Sequence, residues 1–404
     1  MSDQGTPGHP TSRNPILWGA YLACSWTWCI GMFFPAILLR DFGWTGFLIF
    51  AIPNVLGAAA MGWVLTSRQA SVSMVERHPQ AVWWFSTITL AFHVFWIVWI
   101  SSFIRQSFPL PDNYLIGVGA VAIAFSVVSG RASRFGRMHV LAMLLIVFSI
   151  GVLIVTLVTP DTTESRDNLL ATEHTATGGL WMIPVCTLGF LLCPYLDVTF
   201  HHARQQLDTK ANGRVGFTIG FALMFALMIV LTTQYSGLII AGLNDRLYPT
   251  IAALWIGSLL LVHIMCQWIF TVRAHLDQMR TIPGKVPPMS LFFAMLFLAG
   301  GLGMLITRAP DHAGLGAGEL VYRTFLSAYG LVLPAYVLYR IVLGQVTAKA
   351  ALTIMWIAIV IATPMYWIGF MERQTIWLGP GVGVLLLGAL VARFIPSQTT
   401  QSAS

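Results

Sequence analysis

Charge is what this sequence has least of. Of its 404 residues only 9% are Asp, Glu, Lys or Arg, while 57% are hydrophobic. Soluble globular chains carry roughly 25% charged residues, so this chain lacks the polar groups needed to cover a water-facing surface. A soluble fold is excluded for most of the length, and no room is left for a large aqueous domain. The five cysteines, Cys24, Cys29, Cys186, Cys193 and Cys266, all lie in apolar stretches. There they act as small hydrophobes, and neither a disulfide framework nor a zinc module is indicated. No Walker, His-Glu-x-x-His or Gly-x-Ser-x-Gly pattern occurs, which argues against ATP-driven transport within the chain and against two common hydrolase chemistries. No basic start followed by a short apolar core is found. Residues 1–14 are polar, with two prolines and two glycines, and read as a disordered cytoplasmic tail, with insertion through the uncleaved first helix. A second disordered tail is expected at 395–404.

Long apolar runs are plentiful. At about 20 residues per spanning helix, twelve spans are predicted, over 15–37, 44–65, 82–104, 114–130, 139–158, 180–200, 215–241, 250–272, 290–306, 320–343, 351–370 and 376–394. The runs are continuous, not alternating, which favours an all-α membrane bundle over a barrel. Fifteen of the 22 Lys and Arg residues fall on the face that holds both termini. Arg40, Arg105, Arg166, Arg246, Arg308, Arg323 and Arg373 take the opposite face. The positive-inside rule then places both termini in the cytoplasm of a plasma or bacterial inner membrane. The net charge of +7 therefore reports orientation, and no nucleic-acid partner is expected. Asp161, Glu164, Asp167 and Glu173 gather in the loop after the fifth span.

Two spans are interrupted at corresponding places. The first carries Gly31, Met32, Phe33, Phe34 and Pro35; the sixth runs from Gly189 through Cys193, Pro194 and Tyr195 to Asp197. Glycine loosens a helix, and proline removes a backbone donor and clashes with the preceding turn. Spans one and six begin on opposite faces. Five-helix halves at 15–158 and 179–343 would thus be inverted, with two accessory helices at 351–394. Inverted repeats with discontinuous helices at the midplane are the plan of many secondary transporters, although Gly and Pro are also common in ordinary membrane helices.

Three stretches make the sequence resemble the LeuT-fold, or amino acid–polyamine–organocation, superfamily. They are the run from Gly31 to Pro35, the following Asp41-Phe42-Gly43-Trp44-Thr45-Gly46-Phe47-Leu48 with a second span rich in Gly57, Ala58, Ala59, Ala60 and Gly62, and Pro194-Tyr195-Leu196-Asp197 with Arg204. The resemblance covers the first ten spans. It implies a symporter with a substrate site between the two broken helices and Na+ or H+ as coupling ion. Span eight has no adjacent Ser/Thr pair, where many sodium-coupled members place ion ligands.

Polar residues within spans complete the candidate site. Ser86, Thr89, His93 and Trp96 share one face of span three. His93 suits proton transfer or one interhelical hydrogen bond. His263 and Gln267 are neighbours on span eight and either contact substrate or pin that span to the first. Thr232, Thr233, Gln234 and Tyr235 read as an interfacial cluster at the outer end of span seven. Trp63, Trp83, Trp84, Trp181 and Trp268 read as interface anchors. Asp197 is the one carboxylate inside a predicted span, a functional candidate by its place. It would bind a cation, carry a proton or receive a cationic part of the substrate; alternatively it closes a gate with His201 or Arg204. Asp197, His201 and His202 are too few for a metal site.

The sequence points to an ion-coupled secondary transporter of a small organic solute, such as an amino acid or nucleobase, without a cofactor. Gly31, Met32, Phe33, Phe34, Gly189, Cys193, Tyr195 and His93 would bind the solute, and Asp197, His201, Arg204, His263 and Gln267 would couple or gate. The alternatives are an integral-membrane transferase with His93 or His201 as general base, and a non-catalytic subunit or sensor of a membrane complex.

Overall fold

The computed structural model describes residues 13–107, 112–171, 176–243, 251–306, 314–344 and 349–394. The predicted tails lie outside these residues except for Arg13 and Asn14, as do Glu173, Arg246 and Arg308. Among the described residues the protein is 89% helical without strands, and ten helices are long and apolar enough to cross a membrane. This is the architecture of an all-α membrane protein, because a backbone surrounded by hydrocarbon must satisfy its hydrogen bonds within each segment. Large apolar side chains point outward, with Ile116 71%, Ile123 69% and Phe297 82% exposed. Water would not tolerate so much exposed apolar surface, but lipid does.

The chain divides into two compact units. The first comprises Met1–Arg40, Ala58–Glu173 and Asp197–Met304, the second Asp41–Gly57, His174–Leu196 and Leu305–Ser404. These units cut across the two predicted repeats. The first unit contains α1 (Pro15–Trp26), α3 (Arg68–Arg77), α4 (Pro79–Ser107), α5 (Asp112–Arg134), α6 (Met138–Val158) and α7 (Pro160–Leu170). It also contains α10 (Val198–Gln206), α11 (Lys210–Thr218), a π-helical turn (Ile219–Phe225), α12 (Ala226–Leu243), α13 (Ile251–Met279) and α14 (Met289–Leu305). The second holds α8 (Ala176–Leu180), α9 (Ile183–Leu192), a 3-10 turn (Cys193–Leu196), α15 (Ala317–Tyr336), a π-helical turn (Val337–Val342), α16 (Lys349–Phe370) and α17 (Leu378–Arg393). Helix α2 (Cys29–Val64) runs through predicted spans one and two and contributes residues to both units; it leaves helical geometry at Gly43, whose φ of 59° suits glycine. Predicted span nine is the shorter α14.

Helix α1 is apolar on all sides and buried from Trp18 through Trp26, as expected for a helix at the centre of a bundle. Its Gly19 lies against Gly216 and Gly220, and a Cβ on Gly220 would meet the Gly19 backbone at 2.7 Å. Gly216 and Gly220 are four apart on span seven, a small-residue face that admits close helix crossing. The acidic stretch after span five is not a loop as predicted. It folds as α7, with Pro160 in its first turn, and packs on α12, where Gly237 leaves room for the Ser165 backbone.

The sequence places a break at Gly31 and Pro35, yet these residues lie within helical α2. Pro35 cannot donate to the Gly31 carbonyl four residues earlier. Thr232 supplies the missing donor, its hydroxyl lying 2.9 Å from that oxygen, and Tyr235 donates to the Met32 carbonyl at 2.8 Å. Thr232 and Tyr235 are buried against α2, while Gln234 accepts from Arg166 of α7 at 2.6 Å. Trp83, expected as an interface anchor, is also fully buried.

The second unit uses the same device. Pro334 leaves the Gly330 carbonyl without its helical donor, and the Tyr366 hydroxyl donates to it at 3.3 Å. Near one end of α15, Arg323 donates to Asp41 at 2.6 Å, to Glu319 at 2.9 Å and to the Phe370 carbonyl at 3.3 Å. Arg373 adds a bond to Asp41 at 3.2 Å. Asp41, Glu319 and Arg323 are all buried. Arg323 therefore does not belong to a solvated loop face, and Asp197 is not the only buried carboxylate.

Candidate functional site

The real interruption of span one is at Thr27 and Trp28. Helix α1 ends at Trp26, Trp28 is extended with ψ of 178°, and α2 starts at Cys29. The carbonyls freed by this break are met by side chains. Gln267 donates to the Cys24 carbonyl and, at 3.4 Å, to that of Thr27; Thr271 donates to Cys24 at 3.0 Å. The Trp28 indole donates to the Ser25 carbonyl. A non-helical backbone survives at membrane depth only with such partners or beside a cavity.

Span six is interrupted where predicted. After the 3-10 turn, Asp197 is extended and serves as the N-cap of α10, its Oδ1 accepting from the Thr199 backbone N–H at 2.7 Å and lying 2.6 Å from the Thr199 hydroxyl. N-capping is a strong preference of Asp, which explains why α10 starts there. This end of α10 meets the end of α1. The Thr199 and Ser25 hydroxyl oxygens are 2.9 Å apart, and the rings of Trp26 and Phe200 are 5.0 Å apart.

Around this junction several buried polar atoms have no hydrogen-bond partner among the described residues. They include Asp197 Oδ2, His275 Nε2, His93 Nε2, Gln267 Oε1 and the Tyr21 hydroxyl. Asp197 Oδ2 and His275 Nε2 are 3.9 Å apart, and both side chains are fully buried. The other nitrogen of His275 is 3.2 Å from Ser86 Oγ. His93 Nδ1 lies 2.8 Å from the Thr89 carbonyl. A carbonyl only accepts, so Nδ1 carries the proton, and in the neutral ring Nε2 is an acceptor. The Trp28 ring packs edge-on against both histidines, with its centroid 6.1 Å from that of His93 and 5.8 Å from that of His275. Buried polar atoms normally find partners. Several such atoms gather around this helix break.

Of the residues singled out in the sequence, Asp197, His93 and Gln267 come together here. Ser86, Thr89 and Trp96 are buried beside His93 on the inward stripe of α4. Gly31, Met32, Phe33 and Phe34 lie beyond the break on α2, with Phe33 packed against Trp96 and Trp99. In the second unit, Gly189 lies within α9 against Gly330, the Cys193 thiol is directed at the Tyr329 carbonyl at 3.7 Å, and Tyr195 is half-buried. His263 bonds Ser149 at 2.8 Å, joining α13 to α6. His201 bonds Ser71 at 3.0 Å. Arg204 donates to the Leu65, Thr66 and Leu207 carbonyls at 2.6, 3.0 and 2.6 Å. Leu65 and Thr66 follow the C-terminus of α2, so the guanidinium caps that helix where its dipole favours a cation. Among the described residues, no three His, Cys, Asp or Glu side chains form a metal-holding group.

Sequence reasoning missed Ser25, Thr27, Trp28, Thr199 and His275. A signal for His275 was present. His263, Gln267, Thr271 and His275 recur every four residues, and α13 runs on to Met279, beyond the predicted end of span eight at 272. No comparable signal marks Thr27 and Trp28, because that break depends on donors from α13. Compared with known protein families and with curated proteins, the chain matches none.

Proposed function

We propose that this protein is a secondary transporter of a small organic solute, working by alternating access, with its site at the junction of α1, α2 and α10. The observation that carries this reading is the meeting of two interrupted spans, at Thr27 and Trp28 and at Asp197, around buried unpartnered polar atoms. Such discontinuities are how membrane carriers expose backbone and side-chain groups to a solute. Solute donors would engage Asp197 Oδ2, Gln267 Oε1 and His93 Nε2, with the Trp28 ring as an apolar wall. The reading keeps both termini in the cytoplasm, a 5+5 inverted repeat with two accessory helices, and the LeuT-like plan. Uptake of labelled amino acids and nucleobases into proteoliposomes tests it. Accumulation driven by an ion gradient and lost in Asp197→Asn is the expected result; no uptake of any solute by the folded protein, or undiminished uptake by the variant, refutes it.

A second reading rests on one arrangement. His275 connects Ser86 on one ring nitrogen with Asp197 facing the other, the order of groups in a serine acyl-transfer site. Covalent labelling of Ser86 by a fluorophosphonate, abolished in Ser86→Ala and His275→Gln, would favour this membrane transferase over the carrier.

A further inference from the structure

We infer that Asp197 and His275 together form a proton-binding site and that the proton is the coupling ion, a role that rests on the transporter reading although the site itself does not. The geometry supplies the reason. One carboxylate oxygen of Asp197 is occupied as the N-cap of α10, which leaves Oδ2 without a partner. His275 is held through Nδ1 by Ser86, which leaves Nε2 without a partner 3.9 Å away. When neutral His275 carries its hydrogen on Nδ1, towards Ser86 Oγ, Nε2 presents a lone pair, and the carboxylate presents lone pairs at Oδ2. Two acceptors then face each other in a fully buried place. A proton taken from water and bound to Oδ2 converts this opposition into an O–H···N hydrogen bond once the atoms close to about 2.8 Å. Release returns the proton to water and leaves an uncompensated buried carboxylate, which the closed arrangement does not tolerate. Protonation is thereby tied to whether α10 and α13 stay together.

A hard metal cation fits less well, since such ions gather several oxygen ligands and the atom opposite Oδ2 is an imidazole nitrogen. Ionisable groups also lead towards the site. Exposed Glu76, half-buried His202 and buried His201 line a cavity of about 160 Å³ that extends to Val198, the residue after Asp197. The elements packed on α10 are α1, α3, α4 and α13. From them Tyr21 interacts electrostatically with Asp197, His275 lies opposite it, and His93 interacts in turn with His275. On α3, Glu76 lines the cavity, and Arg68 and Arg77 are exposed.

The test is an infrared pH titration of the full-length protein in phosphatidylcholine vesicles, following the carbonyl stretch of protonated carboxylic acids. Asn remains a good N-cap, so Asp197→Asn keeps the start of α10 while removing the acid. The expected result is a titrating band that disappears in Asp197→Asn and whose midpoint moves by about one pH unit or more in His275→Gln. A band unchanged in Asp197→Asn, or a midpoint unmoved in His275→Gln, overturns the site. Ion-driven solute uptake without such a band would overturn the proton site and leave the carrier standing. The band without uptake of any solute would refute the carrier alone.

Discussion

The hydroxyl of Thr232 donates to the carbonyl of Gly31 at 2.9 Å, the acceptor that Pro35 leaves open on α2. One helix thus repairs a backbone defect in another. Thr232→Val should cost about 1–3 kcal/mol, the penalty for a buried acceptor left without its donor. Pro35→Ala restores a backbone N–H, so the double variant should lose much less than the sum of the single effects. Thermal unfolding of the four proteins in detergent reads the coupling, and strict additivity would contradict it.

Asp197 has a structural task separable from any functional one. Asp197→Asn keeps an N-cap for α10, whereas Asp197→Ala removes it at a cost of about 0.5–2 kcal/mol. The two variants should therefore share a loss of transport but differ in stability, Ala being the weaker fold. Parallel uptake and unfolding measurements check this, and equal melting temperatures would remove the capping role.

Arg323 holds two buried carboxylates, Asp41 and Glu319. Arg323→Met leaves both without their main partner and should destabilise the protein by about 3–5 kcal/mol. Adding Asp41→Asn and Glu319→Gln removes the stranded charges and should recover most of the loss. Arg373 also contacts Asp41, but its side chain is 46% exposed. Arg373→Ala should cost no more than about 1 kcal/mol, as for other solvent-facing pairs. Denaturation curves of these variants rank the contributions.

Gly19 and Gly220 let α1 and span seven approach closely. Gly220→Ala introduces a methyl group against the Gly19 backbone and should cost about 1–3 kcal/mol, as overpacking does. Gly383 has no neighbour within 4 Å of the added Cβ, so Gly383→Ala is the control and should leave the melting temperature nearly unchanged. Equal shifts in the two variants would show that the glycine contact is not what sets the crossing.

Much of the architecture could be read from the residues alone. Long apolar runs gave the helices, and the Gly189 to Asp197 stretch marked the interruption of span six, because Pro194 and a buried acid cannot continue a regular helix without compensation. The inward stripe on α4 was equally legible, since residues at 86, 89, 93 and 96 share a face whatever they pack against. His275 was legible in principle, as the fourth member of a polar ladder that begins with His263 and Gln267.

The break in span one was decided elsewhere in the chain. Local chemistry favours Gly31 and Pro35, yet the helix continues there, with Thr232, some two hundred residues away, satisfying the carbonyl that Pro35 leaves open and Tyr235 bonding the next one. It stops at Thr27 and Trp28, where Gln267 donates to the freed carbonyls of Cys24 and Thr27 and Thr271 donates to that of Cys24. By itself the scarcity of charge determined that this chain belongs in lipid as a bundle of helices. Where a helix opens, and which buried polar atoms are left without partners, only the tertiary structure decided. In hydrocarbon, a backbone group without water must find its donor on whichever helix packing brings near.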